Sequence, residues 1–247
     1  MMDFIEAGII KRTKNNTVRM VSYEMKFLNE SHIEEILQLQ DIVAHSLNDK
    51  ELFVSDSRDF IMEQVLKPGR GKAIGIFVKN QLIAYRTVAF PGKTEWNLGR
   101  DLGIAEEELD KVAHLEATAV HPEYRGNRLQ AKMLKHTIIL VEALGFHYIL
   151  STVSPYNYPS LKSVIGSELS IYSLNLREGI YGGKLRYLLF RDLKDMKKKR
   201  QPKSIVKVKN KNISLQMKLL EAGYIGDTIE RHGNSMEEFI IGFKKIN

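Results

Sequence analysis

One stretch constrains this chain more than any other. Residues 120–131 read Val-His-Pro-Glu-Tyr-Arg-Gly-Asn-Arg-Leu-Gln-Ala. The run before it, 114–120, alternates polar and apolar residues in the manner of a strand, and after it Ala131, Leu134, Ile138, Val141 and Gly145 recur at helical spacing. The loop between them therefore opens a helix. The first turn of a helix leaves backbone N–H groups unpaired and carries a partial positive charge, so it can hold a diphosphate without a dedicated lysine. Arg125 and Arg128 add full charges, and Gly126 lets the backbone approach a ligand closely.

The same residues resemble the GNAT acetyltransferase superfamily, whose motif here is Gln/Arg-x-x-Gly-x-Gly/Ala after a strand and a His/Asp-Pro-x-Tyr turn. Arg125 matches the opening position, while Arg128 and Gln130 stand where the motif has Gly and Gly or Ala. The order of elements matches as well. A strand-like run at 21–28 precedes an amphipathic helix at 31–47, which carries a Ser31-x-x-Glu34 capping pattern, and a second helix is expected at 56–66. A hairpin at 73–90 follows, then the strand, loop and helix already described, a strand at 148–153, a short helix after Asn157, and strands at 169–176 and 185–193. The resemblance implies an α/β (α+β) architecture, the GNAT fold: a mixed central sheet, splayed at the cofactor site, with flanking helices.

It also implies where acetyl-CoA binds as acyl donor. The pantetheine arm is expected along the backbone of Thr118, Ala119 and Val120, and the diphosphate on Arg125, Gly126, Asn127, Arg128, Leu129, Gln130 and Ala131. A second local match, Pro155-x-Asn157-x-x-Ser160, corresponds to the family's asparagine facing the coenzyme, so Asn157 and Ser160 join the cofactor set.

An amine acceptor with a pKa of about 10.4 is protonated near neutrality and must lose a proton before attack. Strand alternation places His114 and Glu116 on one face, at positions where family members carry a base. Glu116 is the first choice, because a carboxylate can hold the ammonium or a water beside it. Many members protonate the departing sulfur with a tyrosine seven residues past the asparagine; Val164 stands there. Tyr156, Tyr172 and Tyr181 are the substitutes on offer, with Tyr156 and Tyr181 retained as catalytic candidates, and the Gly182-Gly183 turn beside Tyr181 reads equally as a plain turn or a substrate contact.

Composition bears on the rivals. The net charge of +7 suggests nucleic acid, but the segment 194–211 holds nine Lys or Arg and one Asp, which leaves 28 basic and 29 acidic residues elsewhere. The basicity is local, with no aromatic residue inside it to stack on bases, so it reads as a basic linker and argues against a nucleic-acid partner. The chain has no cysteine, which removes thiolate metal sites and a cysteine nucleophile, and its seven histidines lack metal-type spacing, so no metal is expected. No apolar run is long enough to span a bilayer, and a cytoplasmic location without membrane contact follows as an expectation.

The expected organisation is an N-terminal extension (1–23), the acyltransferase domain (24–193), the basic linker (194–211) and a C-terminal helix and strand appendage (212–247). Apolar Leu215, Leu219, Leu220, Phe239 and Ile241 suit the appendage to docking on the main domain, where it could cover the acceptor site or form a homodimer contact. The reading is a metal-independent N-acyltransferase moving acetyl from acetyl-CoA to an amine by direct transfer. A silent acyl-CoA-binding module is the alternative, and a nucleic-acid-associated protein the lesser one.

Overall fold

Two dipeptides with positive φ set the first half of the sheet. In the computed structural model, which describes residues 4–49, 52–195, 205–233 and 237–245, Asn15 (φ 48°) and Asn16 (φ 60°) turn β1 (Phe4–Lys14) back into β2 (Thr17–Leu28). Lys79 (φ 48°) and Asn80 (φ 65°) do the same between β3 (Gly71–Val78) and β4 (Gln81–Ala89). Paired left-handed residues twist with the flanking strands and so close tight hairpins. Residues 4–23, set apart in the sequence reading as an extension, thus continue the sheet.

Between the hairpins lie α1 (Ile33–His45) and α2 (Arg58–Phe60), the latter running on as a π-helical stretch, Ile61–Leu66. The capping pattern forms two residues earlier than Ser31: the Asn29 side chain accepts from Ser31 N, and Asn29 N donates to His32 Nδ1. Ser31 is consequently inside a short 3-10 turn, and α1 starts at Ile33. Then come β5 (Val112–Val120), α3 (Leu129–Ala143), β6 (Tyr148–Val153), α4 (Tyr158–Ile165), β7 (Ser170–Arg177) and β8 (Lys184–Asp192).

The strands form one sheet in the order β1-β2-β3-β4-β5-β6-β8-β7-β10-β11-β9, antiparallel throughout except for β5 and β6. On one face, Ile36, Leu39 and Val43 of α1 and Ile61 and Val65 of the π stretch pack against Phe77, Tyr85 and Ala119. On the other, Leu134, Ile138 and Val141 of α3 and Leu161 and Val164 of α4 pack against Val88, Leu115 and Ile149. Both helical layers bury apolar stripes on the sheet, the usual solution for an α/β fold.

The C-terminal strands belong to that same core. β9 (Val206–Lys209), inside the segment read as linker, forms the far edge of the sheet against β11 (Phe239–Lys245). The basic residues at 196–204 lie outside the described residues. β10 (Tyr224–Arg231) meets β7 at Gly226 and Ile171, where an added Cβ on Gly226 would lie 3.0 Å from Ile171. Phe239, Ile241 and Phe243 are fully buried with Tyr158 and Leu161 of α4.

On α5 (Ile213–Glu221) the buried residue is polar: Leu215 is exposed, whereas Gln216 is enclosed, donating to the carbonyls of Lys209 (3.1 Å) and Asn210 (2.8 Å) and accepting from the Tyr187 hydroxyl of β8. Gln216→Ala takes the partner from the buried Tyr187 hydroxyl and one donor from each of the Lys209 and Asn210 carbonyls, and is expected to cost about 1–3 kcal/mol of stability. Thermal denaturation reads this as a lowered Tm; an unchanged Tm, or an unchanged melting curve on truncation after Leu193, would show that the C-terminal segment is an independent tail.

Candidate active site

β5 and β6 pair only over Val112–Leu115 and Tyr148–Ser151. Beyond those residues the two strands part. On its other side β5 carries a bulge: Val88 of β4 faces Leu115 and Arg86 faces Thr118, so β5 spends one residue more than β4 over this span. A bulge bends the strand that carries it and re-aims its side chains. The result is a cleft through the middle of the sheet, walled by Leu115–Thr118 on one side and Ser151–Ser154 on the other, with Gln130 of α3 and Asn157, Ser160 and Val164 of α4 on one face, and Leu52, Phe53, Val54 and Asp56 on the other.

The loop before α3 sits at one end of this cleft. Gly126 has φ 84°, and Arg128 takes a left-handed φ of 57°, a conformation that costs a residue other than glycine roughly 1–2 kcal/mol. No side chain caps α3, so the amides of its first turn, Leu129, Gln130 and Ala131, are left for an anion. Leu129 itself is buried against Met133 and Tyr124. Arg125 and Arg128 are exposed, and Arg125 donates to the hydroxyl of Ser46 at the end of α1 (2.7 Å).

Asn127, placed in the cofactor set by resemblance, has its amide committed elsewhere. Its oxygen accepts from Lys11 N (2.9 Å), and its nitrogen donates to Lys11 O (2.7 Å) and Tyr124 O (2.9 Å). One side chain therefore pairs with β1 as a neighbouring strand would. The hairpin is anchored again at Glu6, which meets Lys132 Nζ (2.7 Å), His136 Nε2 (2.9 Å) and the Tyr23 hydroxyl. Burial pushes the Glu6 carboxyl up, and these hydrogen bonds outweigh it and bring the pKa down to about 2.

The candidate catalytic residues separate. Glu116 and Tyr181 line the cleft; His114 and Tyr156 do not. His114 is 1% exposed, packed edge-on against Trp96, and its Nε2 accepts from Leu98 N (3.1 Å). That assigns the ring proton of neutral His114 to Nδ1, which faces Glu116 Oε1 at 3.5 Å. His114 thus lies behind Glu116, outside the cleft. Tyr156 is on the surface beyond β6. The Tyr181 hydroxyl lies 2.7 Å from Thr152 Oγ1, and Arg186 stacks on its ring; burial, then the charge of Glu116, push its pKa up. Val164, at the usual tyrosine position, is buried in the same cleft. Asn157 caps α4 through Ser160 N (3.1 Å) and donates to Leu52 O (2.8 Å), so it ties the loop at 52 to the cleft wall.

Three residues in the cleft escaped the sequence reading. Asp56 is held at its backbone by Gln40 of α1, which donates to Asp56 O (3.1 Å) and accepts from Asp56 N (2.8 Å), and its Oδ2 is buried with no partner. Burial, then the charge of Glu116, push its pKa up to about 7. Arg86 and Arg186 are both 4% exposed. The only available signal for Arg86 was a single charge inside an otherwise uncharged nine-residue strand.

Residues 37–163, just over half of the chain, match the acetyltransferase (GNAT) family model. No curated protein matches. Among solved structures, the chain is similar to the ribosomal-protein-S5-alanine acetyltransferase from Vibrio fischeri, with 17% identity and a TM-score of 0.52 over 71% of this chain and 96% of that one. It is similar to an N-acetyltransferase from Staphylococcus aureus Mu50 (12%, TM-score 0.53, 70% and 99%). Arabidopsis thaliana NAA60 in complex with acetyl-CoA gives 12%, a TM-score of 0.52, and 69% and 98%. At these identities the structures speak to the fold.

The placement of Asn127 generates a test. Asn127→Ala removes two hydrogen bonds to Lys11 of β1 and one to Tyr124 within the loop and is expected to cost about 1–3 kcal/mol, with faster amide exchange at Lys11. Acetyl-CoA affinity is expected to fall only a few-fold, on the order of 1 kcal/mol or less. Loss of binding with unchanged exchange at Lys11 would return Asn127 to direct cofactor contact.

Proposed function

Because the chain belongs to the GNAT acetyltransferase family, an acetyltransferase family that uses acetyl-CoA, we propose that it acetylates a primary amine by direct transfer in the cleft between β5 and β6. The observation that carries this reading is the convergence of Glu116, Asp56 and Tyr181 on that cleft, below the uncapped first turn of α3. Acetyl-CoA supplies a thioester carbonyl. The protein's part is to hold the diphosphate on the amides of α3 with Arg125 and Arg128, to deprotonate the amine, and to return a proton to the departing sulfur.

Glu116 and Asp56 together suit an ammonium. Burial, then the charge of Glu116, pushes Asp56 up, and a cation between the two carboxylates relieves their repulsion. The wall leading to them is Leu52, Phe53 and Val54. An ammonium on an apolar stem fits this arrangement better than a zwitterionic α-amino acid, whose own carboxylate would face Asp56 and Glu116. Arg186 lines the same cleft, its guanidinium stacked on Tyr181 and Nη1 donating to Leu185 O. Glu116 takes the amine proton directly or through a water, with His114 behind it, and Tyr181 is the proton donor to sulfur in place of a residue at 164. The oxyanion is left to backbone N–H groups, preorganised because the chain bearing them is a strand.

The pH profile tests the assignment. If Asp56 must be ionised to hold the ammonium, kcat/KM rises with pH through about 7. Asp56→Asn is expected to abolish that limb. Glu116→Gln is expected to cut turnover by about 100-fold, and to move the remaining limb to lower pH, because Asp56 loses the neighbouring charge that raised it. Acetyl-CoA affinity stays within a few-fold in both variants. Failure of calorimetry to detect acetyl-CoA binding to the wild type would overturn the reading; binding without product across an amine panel would favour a silent acyl-CoA-binding module.

A further inference from the structure

Arg86 is the least explained group in the molecule. It sits in the middle of β4, 4% exposed, and its Nε is buried without a hydrogen-bond partner. Among the described residues no carboxylate pairs with it, and burial alone holds its pKa down to about 10. An isolated buried guanidinium costs several kcal/mol, and folds tolerate one where something is meant to meet it.

Its direction follows from its strand. Ala84 and Val88, two residues to either side, pack with Met133 and with Leu134 and Ile138 of α3, so by the two-residue period of a strand Arg86 is on the α3 face. It lines the cleft there with Thr118, its register partner on β5, and Gln130 of the first turn of α3. Thr118 Oγ1 is likewise buried with no partner. Two unpaired polar side chains therefore meet on the wall that leads from the phosphate loop to Glu116. The neighbouring strand is about 4.8 Å away, a gap an extended arginine side chain spans.

We propose that Arg86 is a donor-binding residue: its guanidinium, with the Thr118 hydroxyl beside it, hydrogen-bonds the amide carbonyl oxygens of the pantetheine arm of acetyl-CoA. The ligand chemistry follows from position. The phosphates have the amides of α3, Arg125 and Arg128 at the loop, whereas Arg86 lies inside the cleft, where a chain carrying amide carbonyls would pass. An arginine offers several N–H donors in a fixed fork, which suits acceptors spaced along a chain. The inference rests on the acyl-CoA reading above.

The test compares two ligands by calorimetry on the full chain: acetyl-CoA, and adenosine 3′,5′-diphosphate, which has no pantetheine. Arg86→Met is expected to weaken acetyl-CoA by about ten-fold or more while leaving the nucleotide within two-fold or so of wild type. It is also expected to leave the ligand-free Tm unchanged or raise it, because it removes an unpaired buried charge without opening a cavity. That combination of signs is one a purely structural arginine would not produce. Thr118→Val keeps shape and strand preference and removes only the hydroxyl; it is expected to weaken acetyl-CoA several-fold and spare the nucleotide, whatever the fate of the methionine variant. Wild-type affinity for acetyl-CoA in both variants would overturn the proposal and leave Arg86 solvated by internal water. Equal losses for both ligands would overturn it by placing the effect at the phosphate loop or in the fold. Absence of acetyl-CoA binding to the wild type would sink the acyl-CoA reading itself, and the proposal with it.

Discussion

A sheet that stops pairing in its middle has to account for its backbone. Past Leu115 and Ser151, β5 and β6 no longer share hydrogen bonds, although both remain inside the molecule. Buried backbone donors and acceptors are almost always satisfied, and an unsatisfied one costs about as much as a lost hydrogen bond. The parting is therefore stable only because the cleft is open to water or to a ligand that can pair with the strand. The bulge on β5 between Leu115 and Thr118 bends the strand away, and Gln130 of the first turn of α3 lines the opening. Phosphate loop, strand and acid pair fall in line because they are successive stations along one parted strand.

Polar side chains act as substitute backbone at the two outer ends of the sheet. Asn127 pairs with Lys11 at the outer edge of β1, which ties the N-terminal hairpin to the phosphate loop. At the other edge Gln216 takes two carbonyls and the Tyr187 hydroxyl, and Asn210 accepts from Phe239 N (3.2 Å) and donates to Glu237 O (3.1 Å). Each amide side chain carries one donor and one acceptor end, as a peptide group does, so it can close a ladder where no further strand is available. Capping an edge this way also blunts its tendency to pair with another chain.

β5, the loop after it and α3 were legible because their signals are local: a basic, glycine-containing stretch between an alternating and a helical pattern. The hairpin β3–β4 was legible for the same reason. The N-terminal hairpin carried an equally local signal, Asn15-Asn16, but its strands lack clean alternation, since Ile9, Val18 and Met20 face outward on an exposed ribbon. β9 was hidden by its composition, where Lys207 and Lys209 alternate with buried or half-buried valines. The phosphate-loop reading of Asn127 failed to foresee β1, because the residue that engages its amide is 116 positions away. Asp56 was not legible, and Arg86 showed only as a lone charge in an otherwise uncharged strand. Neither lies in a motif, and what makes each unusual, burial without a partner, exists only once α1, β4 and β5 are assembled.

That assembly brings charges of both signs to one cleft, Arg86 and Arg186 with Asp56 and Glu116. The shift at Asp56 reflects burial, then the charge of Glu116. Such a carboxylate is protonated about half the time near neutrality when the site is empty. An arriving ammonium changes that balance toward the ionised form, so acceptor binding itself readies the group beside which its proton must be lost. The charge that makes the empty cleft costly is the charge that makes it selective, and for this reason Gln40, buried on α1 and bonded twice to the Asp56 backbone, is part of the site as much as of the core.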